Sequence, residues 1–542
     1  MTTADALTDT ADVQELTGEH RNGGAAVVTA LRANGVDTIF GIPGTHNLEL
    51  YRHLPAAGIT AVTTRHEQGA GYAADGYYQV GGKPGVVITT SGPAVFNVAA
   101  AAGTAWAESR PLLIISPGLP RGTLGGDAGQ LHETKDASGA LDRIVAWSRR
   151  VESPDEAALA VTDAFAFFAA GRPRPVHIEV PVDVLEEPWS GNAVAAPVAI
   201  AAAPSPEVVR RAAELMAGAR QPVLICGGGA RGATQQIRVL AERLGAPVIT
   251  TCNGKGVLPE DHPLSVGASI RLSAAHQFIA AADVALVVGS ELGDSDLWGG
   301  TVDAAAVIRL DIDPGQMDKN RTAQLQLIAD AEVGLSALIA ALPAGVPAPG
   351  AAQAVGTLRT GCAAQSDSEG AAWLAVNQAV RHALPAGSTL AGDSSQVTYF
   401  GSAHFFPVQQ PGEFLYMAGF ATLGYGLPAA IGAKIADPSR AVAVLLGDGA
   451  LMFSVQEIVT AVEQRLPIPI VVLDNRGYAE IKDQQAQRGI APIGVDLCVP
   501  DLPALARACG ANGVDAGSAA EVTGLVTEAL KADRPTLIRL AC

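Results

Sequence analysis

The sequence predicts an α/β protein made of three doubly wound parallel-sheet domains. The chain has 542 residues, which at roughly 150 residues per domain corresponds to about three domains. From about Gly23 onward, short and almost continuously apolar runs alternate with longer amphipathic stretches, as expected for buried strands covered by helices on both faces. A hydrophobic content of 48% with only 17% charged residues excludes a largely disordered chain.

The first domain is predicted over residues 21–190. Its expected strands include the runs VVIT (86–89), LLIIS (112–116) and VHIEV (176–180). Parallel strands need a crossover between them, so the amphipathic stretches between these runs are expected to be helices. Residues 1–20 are polar and acidic, which is wrong for a signal or transit peptide and predicts a loosely ordered leader.

A second domain is predicted over residues 205–342 and a third over 365–542. Residues 189–206, rich in Ala and Pro and without periodicity, are predicted to be a linker, and the Pro- and Gly-containing stretch 342–353 a second one. The expected strands lie in PVLIC (222–226), ADVALVV (282–288), VIRLDI (307–312), STLAGD (388–393), AVAVLLGD (441–448) and IPIVVLDN (468–475).

The first and third domains are predicted to close in the same way. GRPRPVHIEVPVDV (171–184) and DRPTLIRL (533–540) both lead from a polar, Pro-containing turn into a final apolar strand. Two domains of similar design would produce this similarity between their final segments, although any α/β sheet needs a closing strand.

The net charge of the chain bears on the classes of partner that it binds. The 36 Lys and Arg against 54 Asp and Glu give a net charge of −18, which argues against nucleic acid or an anionic membrane as the main partner. No long aliphatic run is present to span a bilayer. The six cysteines form no C-x-x-C pair, which favours free thiols in a reducing compartment and predicts a cytoplasmic location.

The strongest chemical signal lies at two consecutive strand ends of the third domain. One apolar run ends at Gly447-Asp448-Gly449, and after a helical stretch the next ends just before Asn475 and Gly477. The carboxyl ends of parallel strands share one edge of the sheet, so these residues are expected to converge. A carboxylate, an amide oxygen and a backbone carbonyl suit Mg²⁺, and the glycines allow a diphosphate to approach. The alternative for an isolated GDG is a tight Asp-Gly turn.

GDG followed after a helix by N-x-G-Y resembles the thiamine diphosphate (ThDP) binding motif. The chain as a whole resembles the acetolactate synthase and 2-oxo-acid decarboxylase family. The stretches that carry this resemblance are FGIPGTHNLELY (40–51), RHEQGAGYAADGY (65–77), TSGPAVFN (90–97), GKGVLPEDHPL (254–264), GDSSQ (392–396) and GFATLGYGLPAAIGAK (419–434). The resemblance implies a pyrimidine-binding domain, a middle domain and a diphosphate-binding domain, in that order.

The resemblance also implies contacts with ThDP. Glu67 would hydrogen-bond N1′ of the aminopyrimidine, whereas position alone would equally allow a surface glutamate at a helix N-terminus. Leu423 would wedge between the two rings of ThDP rather than serve as ordinary core, and the carbonyl of Ala421 would accept from the 4′-amino group. Further cofactor contacts are expected from Asn97, Ser394, Ser395, Gln396, Gly447, Gly449, Ala450 and Tyr478, with a simple turn as the alternative for the GDSSQ residues.

Three further residues are candidate catalytic groups. His46 follows a glycine turn at a strand end, and His132 lies in GQLHE, where the resembled family places polar active-site groups. Isolated histidines are more often structural than catalytic, so both interpretations stay open. Glu480 follows the N-x-G-Y motif closely and would lie over the thiazolium or form an exposed helix-start carboxylate.

The implied chemistry is that of a ThDP- and Mg²⁺-dependent enzyme acting on a 2-oxo acid. In the family the ylid adds to the keto carbon and CO₂ leaves. The enamine is then condensed with a second carbonyl compound, as in acetolactate synthases, or protonated to an aldehyde. The overall pattern is acetolactate synthase-like, so the resemblance implies carboligation of the enamine, with a non-ligating 2-oxo-acid decarboxylase as the alternative. Several local stretches, such as GIPGTHNLELYR and DNRGYAEI, are closer to 5-guanidino-2-oxopentanoate decarboxylases, whose cationic substrate would need a carboxylate such as Glu480 or Glu133.

A non-catalytic ThDP-binding protein and a flavin-dependent oxidase are the alternative functions. The stretch GSELGDSDLWGG (289–300) stands where biosynthetic acetolactate synthases carry an Arg-Phe-Asp-Asp-Arg motif that helps hold FAD, so FAD is doubtful. The resemblance further implies a homodimer at least, with a tetramer expected, because Glu67 and the Mg²⁺ ligands of one active site come from different subunits.

Overall fold

The computed structural model of the chain describes residues 21–343 and 351–542. The leader predicted over residues 1–20 therefore lies outside the described residues. The chain divides into two compact units. The first comprises residues up to Ala199 together with Ile431–Ala436, and the second comprises Ile200–Ala430 and Asp437–Cys542.

The sheet of the first unit has six parallel strands in the order β2-β1-β3-β4-β6-β5. The strands are β1 (Thr38–Gly41), β2 (Thr60–Thr63), β3 (Gly85–Ile88), β4 (Leu112–Gly118), β5 (Ser148–Arg150) and β6 (Val176–Pro181). Strands β3, β4 and β6 are buried along their whole length, which is what helices on both faces of a parallel sheet require.

The helices of the first unit cover this sheet. They are Gly23–Ala33, Leu48–His53, Glu67–Gly81, Pro93–Ala107, Ala137–Asp142, Pro154–Ala170 and Val182–Glu186. The first of them begins where the Asn22 side chain accepts a hydrogen bond from Ala25 N, an ordinary N-cap. Leu31 of that helix belongs to one apolar core with Ile39 and Ile178 of the sheet.

The second unit contains a sheet of six parallel strands in the order β12-β11-β10-β7-β8-β9. The strands are β7 (Pro222–Cys226), β8 (Val248–Thr250), β9 (Ser265–Gly267), β10 (Val284–Val288), β11 (Ala306–Asp311) and β12 (Leu325–Ile328). Its helices are Pro206–Gly218, Thr234–Leu244, Ser273–Ala281, Asp294–Leu297 and Ala331–Ala341. Leu224 and Leu286 enter one apolar cluster, whereas Val223 and Val287 enter another, so successive residues face opposite sides of a sheet covered on both faces.

A further sheet of the second unit has the order β14-β13-β15-β16-β18-β17, again with all strands parallel. The strands are β13 (Thr389–Gly392), β14 (Phe414–Leu415), β15 (Val442–Gly447), β16 (Pro469–Asp474), β17 (Asn512–Ala516) and β18 (Thr536–Ala541). The helices of this region are Ala351–Ala383, Ala403–Phe405, Gly426–Ala436, Asp448–Leu451, Glu457–Glu463, Ala479–Gln487, Leu502–Ala508 and Ala519–Ala529, with a π-helical turn at Val397–Ser402.

The first and last sheets have the same strand order. Counted within each sheet, both read 2-1-3-4-6-5, while the sheet β7–β12 reads 3-2-1-4-5-6 when followed from β9. The common strand order agrees with the sequence similarity between the segments that lead into the two closing strands, β6 and β18. Each of these sheets has a switch point between its first and third strands, where the chain changes its direction of travel across the sheet.

The predicted fold class is confirmed, and each apolar run named above contains a strand. Residues 189–205 form no helix or strand, as predicted for a linker. In the second predicted linker, residues 344–350 lie outside the described residues, and from Ala351 the chain is already helical. Within the described ranges, no helix combines the length and apolar character needed to cross a membrane. The domain boundaries at 21–190, 205–342 and 365–542 stay predictions.

Candidate active site

The switch point of the last sheet lies between β13 and β15. In parallel sheets, ligands bind at such a point, outside the carboxyl ends of the strands. The loop after β13 carries Ser394, Ser395 and Gln396, and β15 ends at Gly447. Gly447 N donates to Ser395 Oγ at 3.2 Å, so the two loops are joined at this point. The sequence analysis expects both loops to bind ThDP, and that role stays a prediction.

Asp448, the residue after β15, has a carboxylate oxygen without a partner. Its side chain is 1% exposed, and Oδ2 is buried with no hydrogen bond from the described residues. Burial raises the pKa of this carboxyl, and the nearby charge of Asp474 raises it further. A buried, unsatisfied polar group costs about 1–3 kcal/mol. A bound cation would remove this cost, so Asp448 fits the predicted role of Mg²⁺ ligand.

The neighbouring strand β16 leads to the other predicted metal ligands. Asn475 is exposed, and its Oδ1 accepts a hydrogen bond from Gly477 N at 3.2 Å. In the described ranges 21–343 and 351–542, no three or more His, Cys, Asp or Glu side chains are grouped to hold a metal. A cation at Asp448 would therefore take its other oxygens from amide, backbone and phosphate groups, as Mg²⁺ commonly does.

The loop after β16 also restricts the space around Gly449. Tyr478 N donates to Val495 O at 2.9 Å, which fixes the position of Tyr478. A Cβ atom on Gly449 would lie 2.9 Å from Cε1 of the Tyr478 ring. A side chain at this position would require the Tyr478 ring to shift, and Gly449 is followed by the buried Ala450. The sequence analysis expects this small-residue turn to let a diphosphate approach the backbone, and that role stays a prediction.

Asp393 organises the segment around Leu423, and the sequence analysis did not select it. Its side chain is fully buried. Oδ1 accepts hydrogen bonds from Ser394 N at 2.8 Å and Gly424 N at 3.2 Å, and Oδ2 accepts from Gly426 N at 2.8 Å. Burial raises its pKa to about 6 despite these donors. The available signal was the G-D pair that ends β13, which repeats the G-D pair at the end of β15.

Ala421 and Leu423 lie on this anchored segment. Ala421 has φ of 51°, a left-handed conformation that costs a non-glycine residue about 1–2 kcal/mol. Ala421 is exposed, and Leu423 is half-buried. Neither residue forms a hydrogen bond with another predicted site residue within the part of the chain described. Their roles toward ThDP stay predictions.

Glu480 is joined to the loop after β13. Gln396 Nε2 donates to Glu480 Oε2 at 2.9 Å, and Tyr399 OH donates to the same oxygen at 3.0 Å. The sequence analysis placed Gln396 and Glu480 in different motifs and gave Tyr399 no role. The contact between them depends on the neighbouring positions of β13, β15 and β16 in the sheet.

In the first unit, Glu67 begins the helix Glu67–Gly81 that follows β2. It is 7% exposed, so the alternative of an exposed surface glutamate is wrong. Asn97 Nδ2 donates to Glu67 Oε2 at 2.9 Å. The charge of Glu67 adds to burial in raising the pKa of Tyr51, whose hydroxyl is buried without a partner among the described residues. Two predicted cofactor residues, Glu67 and Asn97, are thus in direct contact.

His46 and His132 belong to one hydrogen-bonded cluster. His46 Nδ1 lies 2.5 Å from Ser91 Oγ, and Ser91 Oγ lies 3.2 Å from His132 Nδ1. The two imidazole rings are 5.4 Å apart at 74° to each other. His46 follows β1 and Ser91 follows β3, so the contact crosses the switch point of this sheet. Ser91 was not selected from the sequence, although it lies in the TSGP motif.

Glu133, the other carboxylate considered for a cationic substrate, accepts hydrogen bonds from the backbone of its own loop. Its Oε1 accepts from Ala128 N at 3.1 Å and its Oε2 from Gln130 N at 2.8 Å. These backbone hydrogen bonds hold the pKa of Glu133 below its ordinary value. The contacts explain Glu133 as a residue that shapes the loop carrying His132.

Three segments of the chain match the domains of one known protein family. Residues 21–140 match the N-terminal TPP binding domain of thiamine pyrophosphate enzymes, where TPP is thiamine pyrophosphate, another name for ThDP. Residues 209–338 match the central domain of these enzymes, and residues 393–540 match their C-terminal TPP binding domain. The chain belongs to the thiamine pyrophosphate enzyme family.

Individual relatives indicate the type of ThDP-dependent enzyme to which the chain is similar. A probable 2-ketoarginine decarboxylase of Pseudomonas aeruginosa is 43% identical over 496 residues, which are 90% of this chain and 88% of the relative. A probable acetolactate synthase large subunit of Methanocaldococcus jannaschii is 31% identical over 95% of this chain and 91% of its own length. The acetolactate synthase isozyme 1 large subunit of Escherichia coli is 32% identical over 86% of this chain and 83% of its own length. The chain is a ThDP-dependent enzyme of the acetolactate synthase and 2-oxo-acid decarboxylase type.

Proposed function

We propose that the protein is a ThDP- and Mg²⁺-dependent decarboxylase that converts a 2-oxo acid into CO₂ and an aldehyde. The observation that carries this proposal is the hydrogen-bonded cluster of His46, Ser91 and His132. A reaction that ends in an aldehyde needs a proton donor for the carbon that loses CO₂, and histidine is the side chain best suited to this task near neutral pH. The 43% identity to a relative named as a decarboxylase supports the same choice.

The residues of the last sheet fit the cofactor and its metal ion. We assign Asp448, Asn475 and the backbone carbonyl of Gly477 as Mg²⁺ ligands, because the orphaned oxygen of Asp448 needs a cation. The diphosphate would be held by groups of the same loops, namely Ser394, Ser395, Gln396, Gly447, Gly449, Ala450 and Tyr478. Ala421 and Leu423 would contact the rings of ThDP.

When bound, ThDP supplies the nucleophilic carbon that adds to the keto group and holds the electron pair that CO₂ leaves behind. Glu67 would share a proton with N1′ of the cofactor. The hydrogen bond from Asn97 to Oε2 orients this carboxyl and leaves Oε1 available for that proton. Burial of Glu67 keeps water from competing for it.

The hydrogen bonds of His46, Ser91 and His132 would allow a proton to pass from one histidine to the other. The Ser91 hydroxyl carries one hydrogen, so it donates to one imidazole and accepts an N–H from the other. A proton added at one histidine can therefore pass through Ser91 to the other. We assign the cluster as the source of the proton that forms the new C–H bond of the aldehyde. The balance is one 2-oxo acid anion and one proton consumed for one aldehyde and one CO₂ released.

Carboligation is the second candidate function, and the acetolactate synthases among the relatives support it. It shares the steps up to the loss of CO₂ and differs in the fate of the carbon, which bonds to a second carbonyl compound instead of a proton. We further propose a homodimer as the minimum active unit, with a tetramer expected, in the cytoplasm. FAD has no role in either proposal.

The test is to supply the purified protein with ThDP, Mg²⁺ and a panel of 2-oxo acids, including pyruvate and 5-guanidino-2-oxopentanoate, and to identify the organic product. We expect CO₂ and an equimolar aldehyde from at least one acid. A 2-hydroxy ketone or acetolactate as the main product would replace decarboxylation with carboligation. No CO₂ from any acid, despite bound ThDP, would favour a non-catalytic ThDP-binding protein.

A further inference from the structure

We propose that Asp474 strengthens the binding of Mg²⁺ at the candidate metal site through its negative charge, without being a metal ligand itself, and that Arg539 opposes this effect. The inference rests on the proposed function, because it takes Asp448 and the loop after β16 as the metal-binding groups. Asp474 is then a positioning residue of the metal site.

Asp448 and Asp474 end two neighbouring strands at the same level of the sheet. Gly447 of β15 is the register partner of Leu473 of β16, and the two aspartates are the next residues after this pair. Neighbouring strands lie about 4.8 Å apart. Two aspartates therefore stand next to each other at the edge of the sheet where the metal ion is expected.

Both aspartates are buried. Asp448 is 1% exposed and Asp474 is 6% exposed. Two carboxylates that are close together away from water repel each other, and a bound cation turns this repulsion into attraction. Oδ2 of Asp448 has no partner among the described residues. A cation that binds this oxygen would be attracted by the charge of Asp474 as well.

The carboxylate of Asp474 is held by the protein on both of its oxygens. Oδ1 accepts a hydrogen bond from Arg476 N at 3.2 Å, and Oδ2 lies 3.5 Å from Nη1 of Arg539. Arg476 stands between Asn475 and Gly477, so the first contact also fixes the turn that carries these two assigned ligands. Because both oxygens have partners, we assign Asp474 a role through its charge and not through coordination.

Arg539 neutralises Asp474 only in part. It lies on β18 opposite Val472, two residues before Asp474, so the two side chains project from the same face of the sheet. Its Nε is 2.6 Å from Oδ1 of Asp515, its register partner on β17. One guanidinium is thus shared by two carboxylates, and it lies closer to Asp515 than to Asp474. Negative charge therefore remains at this edge of the sheet for a divalent cation.

This arrangement predicts effects of opposite sign for the two partners. Asp474→Asn removes a negative charge but keeps a side-chain oxygen that can accept from Arg476 N, and it should weaken Mg²⁺ binding by about 10-fold or more. Arg539→Gln removes the opposing positive charge and should strengthen Mg²⁺ binding by about 3-fold or more. If the two residues only supported the local structure, neither replacement would improve the binding of the metal ion.

The test measures the binding of Mg²⁺ and not turnover. Mg²⁺ is titrated calorimetrically into the intact chain in the presence of excess ThDP, and melting curves establish that each variant is folded. Asp533→Asn and Arg534→Gln are the matched controls, because these two residues form an exposed ion pair just before β18, at the opposite edge of the same sheet. We expect a higher Kd in Asp474→Asn, a lower Kd in Arg539→Gln and the wild-type Kd in both controls.

The outcomes separate this inference from the proposed function. An unchanged Kd in Asp474→Asn, or weaker binding in an Arg539→Gln protein that melts like wild type, would overturn the role of Asp474. Loss of Mg²⁺ binding in Asp448→Ala would support the metal site in either case. An equal loss of affinity in Asp474→Asn and Asp533→Asn would also overturn the role, because the effect would then reflect the total charge of the chain. The expected changes in Kd without CO₂ from any 2-oxo acid would support the role of Asp474 and contradict the proposed decarboxylation.

Discussion

His46 Nδ1 lies 2.5 Å from Ser91 Oγ, and this short contact joins the loops after β1 and β3. The two strands are neighbours in the sheet although β2 separates them in the chain. His132 approaches the same hydroxyl from a third loop. Three distant sequence segments therefore share one serine oxygen, which makes Ser91 the residue whose replacement is most informative.

Replacement of Ser91 by Ala should change the product rather than the loss of CO₂. Without the hydroxyl, the two imidazoles lose their connection, and proton delivery to the product carbon should slow by about 10²-fold or more. We expect CO₂ release to continue at a reduced rate and a larger share of 2-hydroxy ketone when a second aldehyde is present. Product analysis by mass spectrometry measures this share. Ser91→Thr keeps a hydroxyl and serves as the control, and an unchanged product ratio in Ser91→Ala would remove the cluster from the mechanism.

The product ratio should also depend on pH. Burial, and secondarily the charge of His132, lowers the pKa of His46 from its ordinary value of 6.5. As the pH rises through this lowered pKa, His46 loses its proton and the donor form disappears. We therefore expect the ratio of aldehyde to 2-hydroxy ketone to fall with rising pH, with a midpoint below 6.5. His46→Gln should remove this dependence, and a ratio that rises with pH would contradict the assignment.

Replacement of Glu67 by Gln should abolish turnover without unfolding the protein. Glutamine keeps the shape and can still accept from Asn97, but it cannot share a proton with the cofactor. We expect kcat to fall by at least about 10²-fold, the range for loss of a general acid or base. Glu214→Gln, an exposed glutamate paired with Arg210, is the matched control for charge. Steady-state kinetics with melting curves for both variants would distinguish a chemical role from a structural one.

Mg²⁺ and ThDP together should stabilise the protein through Asp448. Binding at 100 times Kd adds about 2.7 kcal/mol to the free energy of unfolding. The orphaned Oδ2 of Asp448 should make wild type strongly dependent on this binding. We expect a clear rise of Tm with Mg²⁺ and ThDP in wild type and little or none in Asp448→Ala. A full rise in Asp448→Ala would assign the metal to other ligands.

Asp393 should give the stability a pH dependence of defined sign. Its pKa is raised by burial from 3.8 to about 6, so between these values the folded protein binds more protons at this residue than the unfolded chain. The contribution of Asp393 to the free energy of unfolding should therefore fall as the pH rises from 3.8 to about 6, and be constant above this range. Denaturant titrations at several pH values measure it. The comparison with Asp393→Asn isolates the contribution, and an identical slope in the variant would contradict it.

Much of the fold was predictable because buried parallel strands are nearly all apolar. β4, β10 and β16 are central, fully buried and evident from their aliphatic runs. The edge strands β2 and β17 were not predicted, since their residues are partly exposed and their composition is mixed. The two-residue strand β14 is too short to give any pattern.

The candidate site was predictable where a motif is local and not where a contact joins distant segments. Asp448 and Gly449 adjoin in one turn, and the sequence identified both. Asp393 has the same G-D context, but its task is to accept N–H groups from residues more than thirty positions away, and nothing in a local pattern indicates such partners. Ser91 and Tyr399 were missed for the same reason, because each becomes informative only when a remote histidine or carboxylate is seen beside it.

The orphaned oxygen of Asp448 has a consequence for the life of the protein in a cell. A newly made chain that has not yet acquired cation and cofactor must keep this buried carboxylate oxygen without a partner among the described residues. We expect such a chain to open more often, and proteases act on chains that open. We expect the amount of this protein to follow the supply of thiamine and magnesium, so that cells short of the vitamin lose the polypeptide as well as its activity.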